Sequence, residues 1–378
     1  MSYHFELGPI RPPSEANSIL LRVTRNCPWN KCTFCHTYKE TRFSRRTVKD
    51  VMKDIDSIHC IAERIIDVLN SSGGGGVIDE VIINNAIKLD NTPEYYYQQV
   101  AFWLQNKMKT AFLQDANSLI LKTSDLVDIL SYFKEKFPSI ERITTYARAK
   151  TVSKKTKDEL IEIRKAGLSR IHIGMESGSD KVLDFIKKGV NASEQILAGK
   201  NAVNAGFDLS EYYMPGLGGK GLSEENAIES ARVLNEINPT FIRIRSAVPI
   251  PGTGLSQAMS DNLWTPLSEE EKVKELRLFI ENLNGITSSL LSDHMMNLLE
   301  DLGGKFPEDK EKMLSIIDKF LNMSTENKEN YIIGRRLGYY RYISEFTPDP
   351  RVENIRSQLK KKFSSIDEAI SEILKNYI

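Results

Sequence analysis

Cysteine is scarce in this chain of 378 residues: there are four, and three of them crowd into the nine positions from Cys27 to Cys35. Clustering of that kind argues against a disulfide-stapled secreted fold and, in a reducing compartment, points to a metal. Net charge is absent too, because 51 Lys and Arg balance 51 Asp and Glu. No bulk field therefore draws the chain to nucleic acid or to an anionic membrane. No apolar run approaches the roughly 18 residues of a membrane span. The opening Met1-Ser2-Tyr3-His4-Phe5-Glu6 lacks the basic and then apolar layout of a signal peptide. We expect a cytoplasmic protein with no membrane partner, long enough to bury one large core beside a smaller second region.

What is present is a βα rhythm. Ser18–Thr24 is short, apolar and β-branched, a buried strand that delivers the cysteine loop from its C-terminal end. Helical periodicity then runs from about Thr47 to Asn70 and breaks at Ser71–Gly76, whose four glycines hold neither helix nor strand. No Lys-Ser/Thr follows them, which argues against a phosphate loop. Further strands are expected at Thr110–Asp115, Arg142–Arg148, Ser169–Met175, Phe207–Met214 and Thr240–Val248, with helices in most of the connections. Such alternation implies a parallel sheet with helices outside it, as a partial barrel or an open doubly wound sheet. In either, ligands gather at the C-terminal ends of the strands. After about Thr265 the strand signal ceases, and Glu269–Leu299, Glu308–Asn322 and Ser365–Tyr377 are helical in period. The expected organisation is an extended proline-rich segment over 1–17, a core over 18–265 and a C-terminal helical region over 266–378.

The strongest signal is Asn26–His36, N-C-P-W-N-K-C-T-F-C-H, with three thiols separated by four and then two residues. Thiolates are soft ligands for zinc or iron–sulfur clusters, and three of them on a four-iron cubane leave one iron open for chemistry. The plainer reading is zinc with His36 as fourth ligand, but adjacent residues such as Cys35 and His36 seldom converge on one tetrahedral ion. Cys60 lies in a predicted helix and reads as a small buried hydrophobe.

A three-cysteine loop after the first strand of a βα series, with Phe34 just before the last cysteine, resembles the radical S-adenosylmethionine (SAM) superfamily. The usual spacing is C-x3-C-x2-C, whereas Cys27 and Cys32 here enclose four residues. Ile171-His172-Ile173-Gly174-Met175-Glu176-Ser177-Gly178 is similar to a strand end of the branch holding coproporphyrinogen dehydrogenases and methylthiotransferases. Met214-Pro215-Gly216-Leu217-Gly218-Gly219 and Pro249-Ile250-Pro251-Gly252-Thr253 resemble two later loops of that core. The resemblance implies a partial (β/α)6 barrel and two cofactors, a [4Fe–4S] cluster on Cys27, Cys32 and Cys35 and SAM. It implies reductive cleavage of SAM to a 5′-deoxyadenosyl radical, with a flavodoxin or ferredoxin as electron donor.

Position by position, the resemblance places Phe34 by the adenine, Glu176 on the ribose hydroxyls, Lys188 on the methionine carboxylate, and Gly174 and Gly216 where backbone approaches the ligand. The family's Gly-Gly-Glu is replaced by Gln114-Asp115-Ala116-Asn117, where Asp115 and Asn117 are left to accept from the methionine ammonium. The third strand ends in Tyr146-Ala147-Arg148, and Arg243 and Arg245 alternate along the sixth, so an anionic substrate is expected. Tyr146, Arg148, Tyr212 and Arg245 are the candidates for catalysis, while His172 reads as a core residue. The basic and aromatic run Ile332–Ile343 fits either a helix over the barrel mouth or, less well given neutral charge, RNA stacking. Two alternatives follow: an RNA- or protein-modifying radical enzyme, and a zinc-stabilised binding protein without catalysis.

Overall fold

The computed structural model describes residues 2–72 and 76–374. Ten strands follow in chain order: β1 (Ile19–Arg22), β2 (Thr24–Arg25), β3 (Ser44–Arg45), β4 (Thr110–Gln114), β5 (Arg142–Ala147), β6 (Leu168–Glu176), β7 (Asp208–Tyr213), β8 (Phe241–Ile244), β9 (Ser289–Leu291) and β10 (Gly303–Lys305). Eight form one sheet in the order β1-β4-β5-β6-β7-β8-β9-β10. The pairs β1–β4, β4–β5, β7–β8 and β8–β9 are parallel, and β10 returns antiparallel to β9. Parallel neighbours need crossovers, which helices supply. The chain is thus an α/β protein of the partial-barrel kind. The short pair β2–β3 flanks the cysteine loop in sequence.

All six strands expected from the sequence form. The last is shorter than expected, ending at Ile244, because Asn297 Oδ1 accepts from Ser246 N at 3.0 Å and Pro215 O from Ala247 N at 3.0 Å. The C-terminal expectation needs more correction. The helix expected over Glu269–Leu299 stops at Asn282, and Gly285, with φ +69°, turns the chain into β9. Three residues give too short an alternation to read as a strand, and Leu290, fully buried, looked like part of a helical stripe. Helices Glu80–Ile87 and Glu94–Gln105 had also gone unread before β4. Of the glycine break at Ser71–Gly76, residues 73–75 lie outside the described residues, as do 375–377 of the last expected helix.

The chain is organised in two compact units. In the first (Met1–Pro28, Glu40–His172, Asn201–Asp208), helix Val48–Ser71 starts at Thr47, whose hydroxyl accepts from Asp50 N at 3.1 Å, and buries Val51, Ile55, Ile58, Ala62 and Ile65 at helical spacing. The proline-rich segment brings Glu15 into the interior, where it accepts from Ser18, Arg142 and Thr144 at 2.5–3.1 Å. Those donors offset the cost of burying a carboxylate. The second unit (Trp29–Lys39, Ile173–Lys200, Leu209–Ile378) holds β7 to β10 and the C-terminal helices. There Tyr213 stacks on Phe279 with ring centroids 4.0 Å apart.

Candidate active site

The cysteine loop is held separately within each unit. In the first, Asp115 follows β4 in the left-handed region at φ +70° and is fully buried. It accepts from Arg22 Nε at 2.6 Å and from Asn26 N at 3.1 Å, so it fixes the residue before Cys27. In the second, Thr33 N donates to Ile186 O and Thr33 O accepts from Leu255 N, each at 2.9 Å. Trp29 Nε1 donates to Lys187 O at 2.7 Å, and a Cβ on Gly189 would lie 2.3 Å from the Trp29 ring. The loop is therefore braced on the fold instead of hanging free.

Cys27, Cys32, Cys35 and Cys60 are all unbridged and partly exposed. Among the described residues, no three Cys, His, Asp or Glu side chains are gathered as a single metal ion would need. The donor set of three cysteines on one loop, none in a disulfide, fits an iron–sulfur cluster chemically. Phe34 packs against a buried cluster that includes Val182, Ile186, Met214 and Leu255, and its ring centroid lies 5.7 Å from Lys188 Nζ.

The end of β6 assembles the second group. Glu176 sits at φ +66°, and its Oε1 lies 2.9 Å from Lys188 Nζ, with both side chains about one-eighth exposed. Gly174 is the floor beneath them. A Cβ there would lie 2.2 Å from Glu176 Oε1 and 3.1 Å from Lys188 Nζ. Beside this pair Glu211 is buried, and among the described residues its Oε2 has no hydrogen-bond partner. Burial pushes its carboxyl well above the usual range; Lys188 opposes the rise and Glu176 adds to it. Sequence reasoning missed Glu211, because a lone acid in the extended run FDLSEYYM carries no signal of its own.

Gly216 is positioned by Glu275, which the sequence reading had placed on a merely charged helix. Buried Glu275 accepts from Gly216 N at 3.0 Å, Tyr213 Oη at 2.7 Å, Ser223 Oγ at 2.6 Å and Asn226 Nδ2 at 2.7 Å. Burial raises its carboxyl above the ordinary value despite those donors. Asp115 and Asn117 take framework roles: Asn117 donates to Thr151 Oγ1 at 2.8 Å and accepts from Arg148 N at 3.1 Å. Those bonds tie both side chains to their surroundings within the first unit.

The candidates for substrate contact are placed as follows. Tyr146 meets Phe112 and His172 edge-on at 5.3 and 5.7 Å, and His172 is fully buried. Arg148 stands directly after β5. Arg243 donates to Ser210 Oγ at 3.1 Å and pairs with Asp293, while Arg245 Nη2 lies 3.1 Å from His294 Nε2 and its guanidinium 5.9 Å from the Tyr212 ring. Asp293 and His294 were hidden by the mistaken helix. Of the basic run near the C-terminus, Arg335 and Arg341 pair with Glu300, and Arg336 is buried against Glu269.

Three cysteines without disulfides on the loop after the first strand of a βα series are the donor set of an iron–sulfur enzyme. The model of the radical SAM superfamily matches residues 21–232, and the chain belongs to that superfamily. It is similar to a tRNA uridine(34) acetyltransferase of Methanocaldococcus jannaschii, 24% identical over 117 residues, which cover 31% of this chain and 22% of that protein. A biotin synthase of Clostridium perfringens is 32% identical over 123 residues, covering 32% of this chain and 35% of the relative. The chain thus spans well under half the length of these relatives. Among solved structures, the cobalamin-dependent SAM radical enzyme OxsB aligns at 16% identity over 92% of this chain and 50% of its own, with a TM-score of 0.45. Coproporphyrinogen III oxidase from Escherichia coli aligns at 13% identity over 70% and 52%, also with a TM-score of 0.45. No described helix is long and apolar enough to cross a membrane.

Proposed function

We propose that the chain is a cytoplasmic enzyme that cleaves SAM reductively, drawing its electron from a flavodoxin or ferredoxin and directing the radical chemistry at an anionic substrate. The core for this activity is 18–265, with 1–17 and 266–378 as accessory segments. Bound to Cys27, Cys32 and Cys35, a [4Fe–4S] cluster supplies one-electron reduction of a sulfonium. The chain's own residues bind and orient. Glu176 accepts from the two ribose hydroxyls, which suits a carboxylate with two acceptor oxygens, and Lys188 meets the methionine carboxylate. Phe34 lies against the adenine, and Gly216, held by Glu275, lets the backbone approach.

One observation carries this reading: Glu176 and Lys188, the two residues assigned to opposite ends of the ligand, converge over a glycine that has no room for a methyl group. The test is anaerobic reconstitution with iron and sulfide, followed by SAM and dithionite. Brown protein that yields 5′-deoxyadenosine is expected. Colourless protein holding zinc, or an iron-loaded protein that leaves SAM intact, would overturn the proposal.

A further inference from the structure

Charge is even over the whole chain but not along it. From Arg22 to Lys53, the stretch that contains the cysteine loop, nine Lys and Arg stand against two acids, Glu40 and Asp50. Since the chain as a whole is neutral, the remainder carries the balancing excess of acid.

Within the first unit these cations divide into compensated and uncompensated ones. Arg22 pairs with Asp115 at 2.6 Å and Arg25 with Glu6 at 2.7 Å, Arg46 is buried against Asp54, and Lys53 lies 3.3 Å from Asp50. Arg42, Arg45 and Lys49 are exposed, and among the described residues none of them has a carboxylate within ion-pair distance. Lys49 stands in the first turn of helix Val48–Ser71, where the helix dipole disfavours a cation, so helix stability does not account for it.

The three cations are held beside the entry to the cysteine loop. β2 and β3 pair antiparallel with Thr24 opposite Arg45, and Arg46 N donates to Val23 O at 3.2 Å. Asn26, which precedes Cys27, donates through Nδ2 to Arg42 O at 2.6 Å. The strand that carries the uncompensated charge is thus bonded to the neighbour of a cysteine.

Exposed cations fit either a nucleic acid or an acidic protein. Sequence-tolerant nucleic-acid sites combine charge with aromatic stacking platforms, and the segment Arg42–Arg46 has one aromatic, Phe43, which is partly buried. An electron carrier needs something different: it must be drawn to the cysteine loop quickly and released quickly. Rim charges do that, because they raise the encounter rate more than the lifetime of a complex.

We propose that Arg42, Arg45 and Lys49 form the docking surface for the reductant, an acidic one-electron carrier protein. The carrier gives up one electron, which passes to the cluster on Cys27, Cys32 and Cys35, and no bond forms or breaks. The assignment rests on the reading that the chain cleaves SAM with such an electron, and it names the residues that receive the donor.

The reconstituted full-length protein is reduced either by dithionite, which needs no docking, or by reduced flavodoxin or [2Fe–2S] ferredoxin, and 5′-deoxyadenosine is followed in each case. Combined reversal by Arg42→Glu, Arg45→Glu and Lys49→Glu is compared with an equal reversal at exposed Lys154, Lys157 and Lys312. At low ionic strength the first variant is expected to lose about tenfold or more of its rate with a carrier and to keep its dithionite rate, while the second keeps both. The carrier rate of wild type should fall steeply between about 20 and 200 mM salt, and that of the first variant should not. Equal losses in the two variants, an unchanged carrier rate in the first, or no reduction of wild type by either carrier would overturn the proposal. So would binding of bulk tRNA that the first variant loses while its carrier rates stay intact. Calorimetric binding of oxidised flavodoxin, which needs no SAM, separates the two readings. Protein that binds it, more weakly in the first variant alone, yet leaves SAM intact with dithionite overturns only the functional reading.

Discussion

Lys188 Nζ lies 2.9 Å from Glu176 Oε1 although twelve residues separate them, because Glu176 turns back at φ +66° and helix Asp180–Phe185 returns the lysine over the end of β6. The pair is nearly buried, so each side chain keeps its charge by having the other. On the proposed reading, binding of a zwitterion with a nearby diol would exchange that one contact for two, the lysine moving to a carboxylate and the glutamate to hydroxyls. An internal pair of this kind holds both groups in place and keeps the site from carrying an uncompensated charge.

The glycine under the pair gives the most direct test. Gly174→Ala puts a methyl group where Glu176 Oε1 now is, and the far end of a side chain yields more readily than backbone. We expect the fold to survive with a stability change of about 1 kcal/mol, and SAM affinity to fall about tenfold, ~1.4 kcal/mol. Equilibrium dialysis with labelled SAM and a thermal melt of the same sample measure the two. Unchanged affinity would remove Glu176 and Lys188 from the binding site.

Asp115 is a second test, and it separates two roles. As the buried partner of Arg22 and of Asn26 N, it secures the entry to the cysteine loop. Asp115→Asn tolerates the left-handed backbone but takes one of two carboxylates from Arg22, whose Nη1 still pairs with Glu6 at 2.8 Å, at a cost of about 1–3 kcal/mol. Iron content after reconstitution should fall along with the melting temperature. A variant of full stability and full iron content, defective only in SAM binding, would instead return Asp115 to the ammonium contact.

Much of this was legible in the sequence, for physical reasons that also explain the gaps. Ile19–Arg22, Thr110–Gln114 and Leu168–Glu176 are long enough, or apolar enough, to show their period, and turns such as Gly167 and Gly206 mark where helices end. The Cys27–Cys35 loop is local, so spacing alone exposes it. Glu211, Glu275 and His294 were not legible because their meaning comes from partners far along the chain, as in the 2.7 Å bond between Tyr213 and Glu275, which are 62 positions apart. Arginines also mislead in isolation. Arg243, Arg335 and Arg336 read as free cations until Asp293, Glu300 and Glu269 are placed beside them.

Those pairings predict unequal consequences within the C-terminal basic run. Arg336 and Glu269 are both buried, so Arg336→Ala leaves the carboxylate to Lys272 alone, 3.1 Å away, and should cost about 2–3 kcal/mol. Arg341 pairs with Glu300 but is two-thirds exposed, and Arg341→Ala should leave the urea midpoint unchanged. Urea unfolding distinguishes them. Comparable losses would mean that burial does not set the value of these pairs.

Glu269 also links stability to pH. Burial alone would raise its pKa, but the Arg336 and Lys272 charges and their hydrogen bonds outweigh burial and bring it down to about 2. A carboxylate lowered on folding contributes stability above its unfolded pKa of 4.5 and loses it as pH falls towards the folded value. A shift of that size corresponds to about 3 kcal/mol in full, of which ~1.4 kcal/mol is gone by pH 3.5. Asp367, which accepts from Glu269 N at 3.3 Å and is pushed upward by burial, titrates in an overlapping window. The useful quantity is therefore the difference between wild type and Glu269→Gln, each unfolded in urea at pH 6 and pH 3.5. Wild type should lose about 1 kcal/mol more than the variant over that interval, and identical losses would show that Glu269 is not held ionised by Arg336.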